Sequence, residues 1–497
     1  MSAIRKPQFL FLLAAVFAPV ILLWPYLAIG VFLLLGMAFV LLVKPPRLVS
    51  FWVVFLAVFF FFPYSTINPM VRSTGTYFTL YRKIGGLFSV WDLLLIGLFI
   101  ILLLFKTQQK HLDFRGFSFP ELLFLLGFVL WSFLWGILHI SGNLLAYGPT
   151  GILRAIIILQ VFLYFLAVYL LTLNLLSDQS DWQMAKTWLV RLTGLLVLYG
   201  ILRLIGILSG KITTMWPFGL PVILYDQMLM LYLPIFAWVA GKILGRRNWK
   251  GLGVVAFVSI IFILLSARRF NYILCAAGGL ITWILAAWWN GDFLKTTIRS
   301  GLKFVLVLGA VTAILFVSFP TVADRITETV QSLNIYRNGE QAAAGSDIRR
   351  QEVVNLFKNL NARPYAYALG MGLGTKWKAI AYQPFDSFSF TEKYLRTSLG
   401  WFPQFHIPYF SLLYRYGILG IIIFWGGLFL LLGRLFIKLK PLKMSGDAPI
   451  LLAMIVFLAL VLPSFGDSVN PTGFILSGFY LGLLEFRLNF WENRRAD

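Results

Sequence analysis

Two pairs of adjacent arginines and one histidine carry most of the chemistry this sequence offers outside its apolar blocks. Arg268 and Arg269 sit in the run LLSARRFNYIL, between two apolar stretches. Arg349 and Arg350 sit in SDIRRQEVVNLFKNL, residues 346–360. A guanidinium presents a planar fork of donors, so two adjacent arginines suit a phosphate or diphosphate. Each pair also has a plainer reading: a snorkelling hairpin for Arg268 and Arg269, a solvated charged turn for Arg349 and Arg350. Ionisable groups at membrane depth are functional candidates by default, and the free N–H groups of a helix N-terminus add to the anion-binding case for the second pair. His406 stands immediately before an apolar block. Histidine is the side chain whose ordinary pKa suits a general base near neutrality. His139 ends an apolar block and reads as an interfacial residue, and His111 reads as surface.

The carboxylates form no couple with the spacing of a general acid and base. Asp347 and Asp386 are the reserve candidates for a proton acceptor should His406 not serve. Asp226, in ILYDQMLML, falls inside an apolar block. A carboxylate there is costly, so it either binds substrate or pairs with an arginine. The single cysteine, Cys275, makes no intramolecular disulfide and reads as a small core residue. No His/Cys cluster has metal-ligand spacing, so no metal and no cofactor is expected. GMGLGT (370–375) is not a GxxxxGK[ST] phosphate loop, and neither a dinucleotide fingerprint nor a nucleophile elbow is present.

These residues must be held by a very apolar chain. Of 497 residues, 60% are hydrophobic and 12% charged, with 48 Phe, 20 Tyr and 17 Trp. An ordinary soluble domain is about 45–50% apolar and about 25% charged. The composition excludes a disordered chain, a disulfide scaffold and an ordinary soluble enzyme. The apolar residues fall into blocks at about 8–24, 25–43, 48–63, 89–105, 119–140, 154–173, 187–208, 218–240, 252–267, 270–289, 301–318, 408–433, 448–463 and 471–486. Most match the roughly 20 residues a helix needs to cross a bilayer. A β-barrel would show alternating ten-residue segments, and there are none. The expected fold is an all-α polytopic membrane protein of about 12–14 spans. Residues 1–318 form one helical region, 319–407 a large outer loop, and 408–497 the last spans.

The net charge of +23, from 42 Lys and Arg against 19 Asp and Glu, follows from topology rather than nucleic-acid binding. With Arg5 and Lys6 cytoplasmic and the first block an anchor, alternate short loops divide the basic residues unequally. The inner set runs from Arg5 to Arg495 and holds 22, including Lys186, Arg434, Lys440, Lys443 and Arg487; the outer set holds the seven residues Arg72, Arg82, Lys83, Arg154, Lys211, Arg268 and Arg269. That asymmetry is the positive-inside bias. Both ends are then cytoplasmic and 319–407 faces outward. Within that loop Val353, Val354, Phe357 and Leu360 recur at helical spacing behind the cap candidates Ser346 and Asp347.

Three segments together resemble the O-antigen ligase/O-antigen polymerase superfamily of bacterial surface-polysaccharide enzymes. HIPYFSLLYRYGILG (406–420) is similar to the family's His, apolar stretch and Gly-x-x-Gly opening a span, with His406, Gly417 and Gly420 at matching offsets and Ile407 where an Asn is usual. LLSARRFNYILCAAGG is similar to its Ser-Arg-Gly turn, the Arg falling on Arg268 or Arg269. IRRQEVVNLFKNLNARPYAYALGMGLGT is similar to its Arg, helical turn, Pro and Gly-x-Gly; counting back from Pro364 favours Arg349, and the usual Trp of that helix is missing. The resemblance covers roughly residues 218–486. It implies a GT-C-like helical glycosyltransferase of the bacterial inner membrane, working without metal on the periplasmic face. Its donor would be a glycan on undecaprenyl diphosphate, its arginines holding the diphosphate and His406 the base. The acceptor would be another lipid-linked repeat for a polymerase of O-antigen or exopolysaccharide, or a lipid A core sugar for a ligase of lipopolysaccharide. A polysaccharide or lipid transporter is the non-enzymatic alternative.

Overall fold

A computed structural model describes residues 52, 83–84, 88–89, 92, 95–96, 99–100, 102, 120–141, 149–210, 224, 228–245, 251–265, 269–291, 344–378, 401–402, 408–464 and 472–496. Among these the protein is an all-α polytopic membrane protein. The helices are α1 (Pro120–Ser141), α2 (Pro149–Leu175), α3 (Gln179–Leu208), α4 (Leu229–Ile243), α5 (Leu252–Leu265), α6 (Arg269–Asn290), α7 (Ala344–Asn361), α8 (Tyr365–Leu369), α9 (Pro408–Leu439), α10 (Ala448–Val461) and α11 (Thr472–Ala496). Two antiparallel pairs of two-residue strands complete the described set: β1 (Lys83–Ile84) with β2 (Phe88–Ser89), and β3 (Trp377–Lys378) with β4 (Trp401–Phe402). Five described helices are long and apolar enough to cross a bilayer, and α4, α5 and α10 are shorter apolar helices.

The middle of the bundle is α4, α10 and the first two-thirds of α11, apolar and buried on almost every side. A helix hydrophobic all round belongs in such a position. By contrast α1, α6 and α9 leave one apolar face open, as lipid-facing helices do; Trp131, Leu134, Leu138, Trp288 and Phe429 lie there. Helices α2 and α11 pack closely together. Gly478 and Gly482, spaced as Gly-x-x-x-Gly, bring α11 within reach of the α2 backbone: a Cβ on Gly478 would lie 2.3 Å from the Phe165 carbonyl oxygen. Small residues at this spacing are how membrane helices approach closely.

Ion pairs define one end of the bundle. Asp447, in the turn before α10, is buried; it accepts from Lys186 Nζ (2.6 Å), Arg487 Nη2 (3.2 Å) and the Trp182 indole N–H (2.9 Å). Those partners come from α3 and α11. At the same end Arg434 of α9 meets Glu121 in the first turn of α1, 3.3 Å apart. Lys186, Arg434 and Arg487 all belong to the inner set of basic residues read from the sequence, so the structure gathers at one end what the charge alternation assigned to one side. Helix α3 starts here with a reciprocal cap. The Asp178 side chain accepts from the Asp181 amide, while the Asp181 carboxylate accepts from Asp178 N–H at 3.4 Å and from Ser177 N–H at 2.8 Å. The Ser180 hydroxyl and the Asp181 amide hold the Asp178 carboxyl below the usual carboxylate range.

The helix bounds follow the apolar blocks within a few residues at α1, α5, α6 and α10. Two helices run well past their blocks. α3 starts at Gln179 rather than near 187, because the Asp178–Asp181 cap and the buried Trp182 carry it through polar sequence. α11 continues to Ala496, well past 486. The apolar blocks expected at 8–24, 25–43 and 301–318 lie outside the described residues, as do most residues of 48–63 and 89–105.

Candidate functional site

The opposite end of the bundle is built around a break in α9. Gly417 has φ +65° and ψ −178° inside an otherwise continuous helix. A non-helical residue there releases the carbonyls one turn earlier from their usual partners, and buried carbonyls require a donor. The glycine-rich segment supplies it: Met371 N–H donates to Tyr414 O and Gly372 N–H to Arg415 O, both at 2.8 Å. Glycine is required on both sides of this joint. A Cβ on Gly417 would sit 2.3 Å from the Ala368 carbonyl oxygen, and a Cβ on Gly370 would sit 2.3 Å from the Arg415 backbone. Gly370 itself has φ +70°, a conformation open to glycine at little cost.

The segment 370–375 then passes between α1 and α2. Leu373 N–H donates to Ser132 O at 3.0 Å, and Gly372 lies against the backbone of Gly136. The amides of Met371, Gly372 and Leu373 are therefore all spent on protein carbonyls. GMGLGT is a packing joint rather than a phosphate cradle, in keeping with its lack of the GxxxxGK[ST] spacing.

Helix α7 docks on the same joint. Leu356, Leu360, Ala366, Met371, Trp377 and Tyr414 form a separate small core, with Phe410 and Leu413 of α9 packed against it. Asn359 fastens the end of α7 to β3: its side-chain amide donates to Lys378 O at 2.6 Å and its side-chain oxygen accepts from Lys378 N–H at 3.0 Å. The Tyr414 hydroxyl donates to Lys376 O at 2.9 Å. Around this core lie buried charges: Glu352 of α7, Lys376 of the loop and Arg415 of α9. Buried charges stand only when paired, so their concentration on one small unit marks it out electrostatically.

The residues singled out in the sequence fall on this framework as follows. Arg349 and Arg350 are on α7, within one turn before Glu352 and about two turns before Leu356. The helix starts at Ala344, not at Ser346, so Ser346 and Asp347 lie in its first turn rather than capping it. Arg269 opens α6, and α5 ends at Leu265. The Tyr272 hydroxyl donates to Leu264 O at 2.7 Å and ties the two helices together at that point. At the far ends of α6 and α9, Trp289 and Phe436 stack with ring centroids 5.1 Å apart. The C-terminal ends of α6 and α9 are thus adjacent. His406, Arg268, Asp226 and Asp386 lie outside the described residues, though Pro408 follows His406 by two positions. Among the described residues no group of three His, Cys, Asp or Glu could hold a metal ion.

Three site features were not read from the sequence. Glu352 and Arg415 are buried inside the unit, whereas the carboxylates named as reserves were Asp347 and Asp386. His139 is not a plain interfacial residue: its Nε2 is 2.9 Å from the Tyr365 hydroxyl, and its ring meets those of Trp135 and Tyr365. Trp135 donates its indole N–H to Gly370 O at 3.1 Å. Ser132, Trp135, Gly136 and His139 follow the 3-4-7 spacing of one helix face, a signal present in the sequence but masked by the apolar run around it.

Comparison with known proteins adds one match. Residues 254–425 fit the family described as O-Antigen ligase, a segment running from α5 to the middle of α9. No curated protein and no solved structure matches the chain. The matched segment holds both arginine pairs, His406, the glycine-rich joint and the break at Gly417. Over that segment the match supports the resemblance to the O-antigen ligase/polymerase superfamily of membrane enzymes that process surface glycans.

Proposed function

We propose that this protein is an integral membrane glycosyltransferase of cell-surface polysaccharide assembly. It polymerises repeat units carried on undecaprenyl diphosphate, at the periplasmic face of the bacterial inner membrane. One observation carries the reading: α7, which bears Arg349 and Arg350, shares a small core with the opening turns of α9, which His406 precedes by two residues. A diphosphate at headgroup level needs fixed cations, and Arg349 or Arg350 together with Arg268 or Arg269 would supply them. An acceptor hydroxyl needs a base, and His406 is placed in the chain to act as one. The hydroxyl oxygen would attack the anomeric carbon, its proton passing to His406. The bond to the lipid diphosphate would break, the leaving charge held by the arginines. The reaction as drawn needs no metal.

A second reading has its own support. The matched family is described as O-antigen ligase, and a ligase would transfer the glycan to a lipid A core sugar. The two reactions share donor, base and arginines and differ in acceptor alone. Purified protein with a lipid-linked glycan tests both. Lengthened lipid-linked chains support the polymerase, and product on added lipid A core but not on lipid-linked glycan supports the ligase. No new glycosidic bond with either acceptor contradicts both and leaves transport.

A further inference from the structure

We infer that helix α1, which lies outside the family-matched segment, is a working part of the site: its outer half clasps the glycine-rich joint, and the His139–Tyr365 hydrogen bond closes the clasp. Four residues on one α1 face make the grip. Ser132 gives its carbonyl to Leu373 N–H, Trp135 gives its indole N–H to Gly370 O, Gly136 admits the backbone of Gly372, and His139 reaches Tyr365 of α8. The contacts span Tyr365 to Leu373, the stretch that links α7 to β3.

The chemistry of the last contact is fixed by its partners. His139 Nδ1 lies 3.0 Å from the Trp135 carbonyl oxygen, which only accepts, so Nδ1 carries the proton. In the neutral ring Nε2 is then the acceptor, and it receives the Tyr365 O–H. This is a directed hydrogen bond between a membrane helix and the outer segment, with the Trp135 ring edge-on to the His139 ring. At its other end α1 is tied to α9 through Glu121 and Arg434. Helix α1 is thus held to α9 at one end, while at the other it grips the segment that docks α7 on α9. Loosening the clasp frees the arginine-bearing helix to shift against the start of α9. Displacements of about 1 Å at a reacting centre cost on the order of a hundredfold in rate. His139, Tyr365 and Trp135 are positioning residues in this account, not catalytic ones.

The inference rests on the transferase reading, and its test separates the two. Full-length protein is purified as wild type, His139→Ala, Tyr365→Phe, the double variant, and Leu138→Ala as a lipid-facing control on the same turn. Two quantities are measured: amide hydrogen exchange of residues 371–373, and transfer from a lipid-linked glycan. Exchange should speed up roughly tenfold or more in both single variants and not in Leu138→Ala. Turnover should fall about tenfold or more, chiefly in kcat. The double variant should lose no more than the worse single one, because both changes remove one shared bond. Unchanged exchange overturns the clasp, and so do additive losses. Faster exchange with wild-type kcat reduces it to a structural contact and overturns the positioning role. If wild-type protein forms no glycosidic bond, the transferase reading falls, and exchange still decides whether the clasp exists.

Discussion

At the scale of residues, the account rests on His406 and on one arginine from each pair. A general base contributes typically 10²–10⁴-fold to rate. His406→Ala is expected to lose turnover in that range, with expression and donor binding largely kept, as read by transfer kinetics and binding of the lipid-linked donor. His406→Gln should fail too, because an amide can hydrogen-bond yet cannot take the proton. Wild-type product from His406→Ala would pass the role to a carboxylate. Glu352, buried in the site unit, now stands beside Asp347 and Asp386 for it. Lys in place of Arg349 is expected to recover only part of the activity, since an ammonium is a point charge without the bidentate fork. The sequence nominates these residues because chemistry of this kind depends on type and spacing: Arg-Arg, and His followed by Gly at fixed offsets. It does not nominate Glu352, Arg415, Trp135 or Tyr365. Their importance comes from neighbours distant in sequence, as with Trp135 and Gly370, 235 positions apart.

At the scale of elements, the break in α9 is the feature on which the site depends. Gly417→Ala adds a Cβ at φ +65° and 2.3 Å from Ala368 O. The backbone term alone is about 1–3 kcal/mol, and the clash adds to it. The variant should either lose the joint or straighten α9, with activity abolished and the melting temperature in detergent lowered; wild-type behaviour in both would show that the break is dispensable. At the other end, Asp447→Ala leaves Lys186 and Arg487 facing each other without their carboxylate. Removing one partner of a buried ion pair costs on the order of 3–5 kcal/mol. The variant should therefore melt well below Glu121→Ala, whose half-exposed pair is worth about 0–1 kcal/mol. Helix positions were legible from apolar periodicity and length. The α9 kink was not, because Gly417 sits in an apolar run that reads as unbroken helix. The extra turns at the start of α3 were missed for the opposite reason: a polar cap and a buried Trp carry the helix where hydropathy stops.

At the scale of the whole molecule, two ends with different work emerge. One is locked by Asp447 and its cations, the other by the glycine joint that carries the candidate site. Sequence charge alone assigns the locked end to the inside, and Lys186, Arg434 and Arg487 of the inner set gather there. A cysteine in place of Ile335 should react with an impermeant thiol reagent from the periplasmic side; labelling only after the inner face is opened would reverse the orientation. The class of protein and the order of its motifs were legible in the sequence, since each is a one-dimensional pattern. The meeting of α1, α8 and α9 was not, because it is set by backbone approach at Gly136, Gly370, Gly372 and Gly417. The most direct test of the central claim is transfer by purified protein from a glycan on undecaprenyl diphosphate, measured for wild type, His406→Ala and Arg349→Ala side by side. The account predicts new glycosidic bonds with release of the lipid diphosphate from wild type, and at least a hundredfold less from His406→Ala, with weakened donor use by Arg349→Ala. Equal product from all three, or none from wild type with either acceptor, would contradict it.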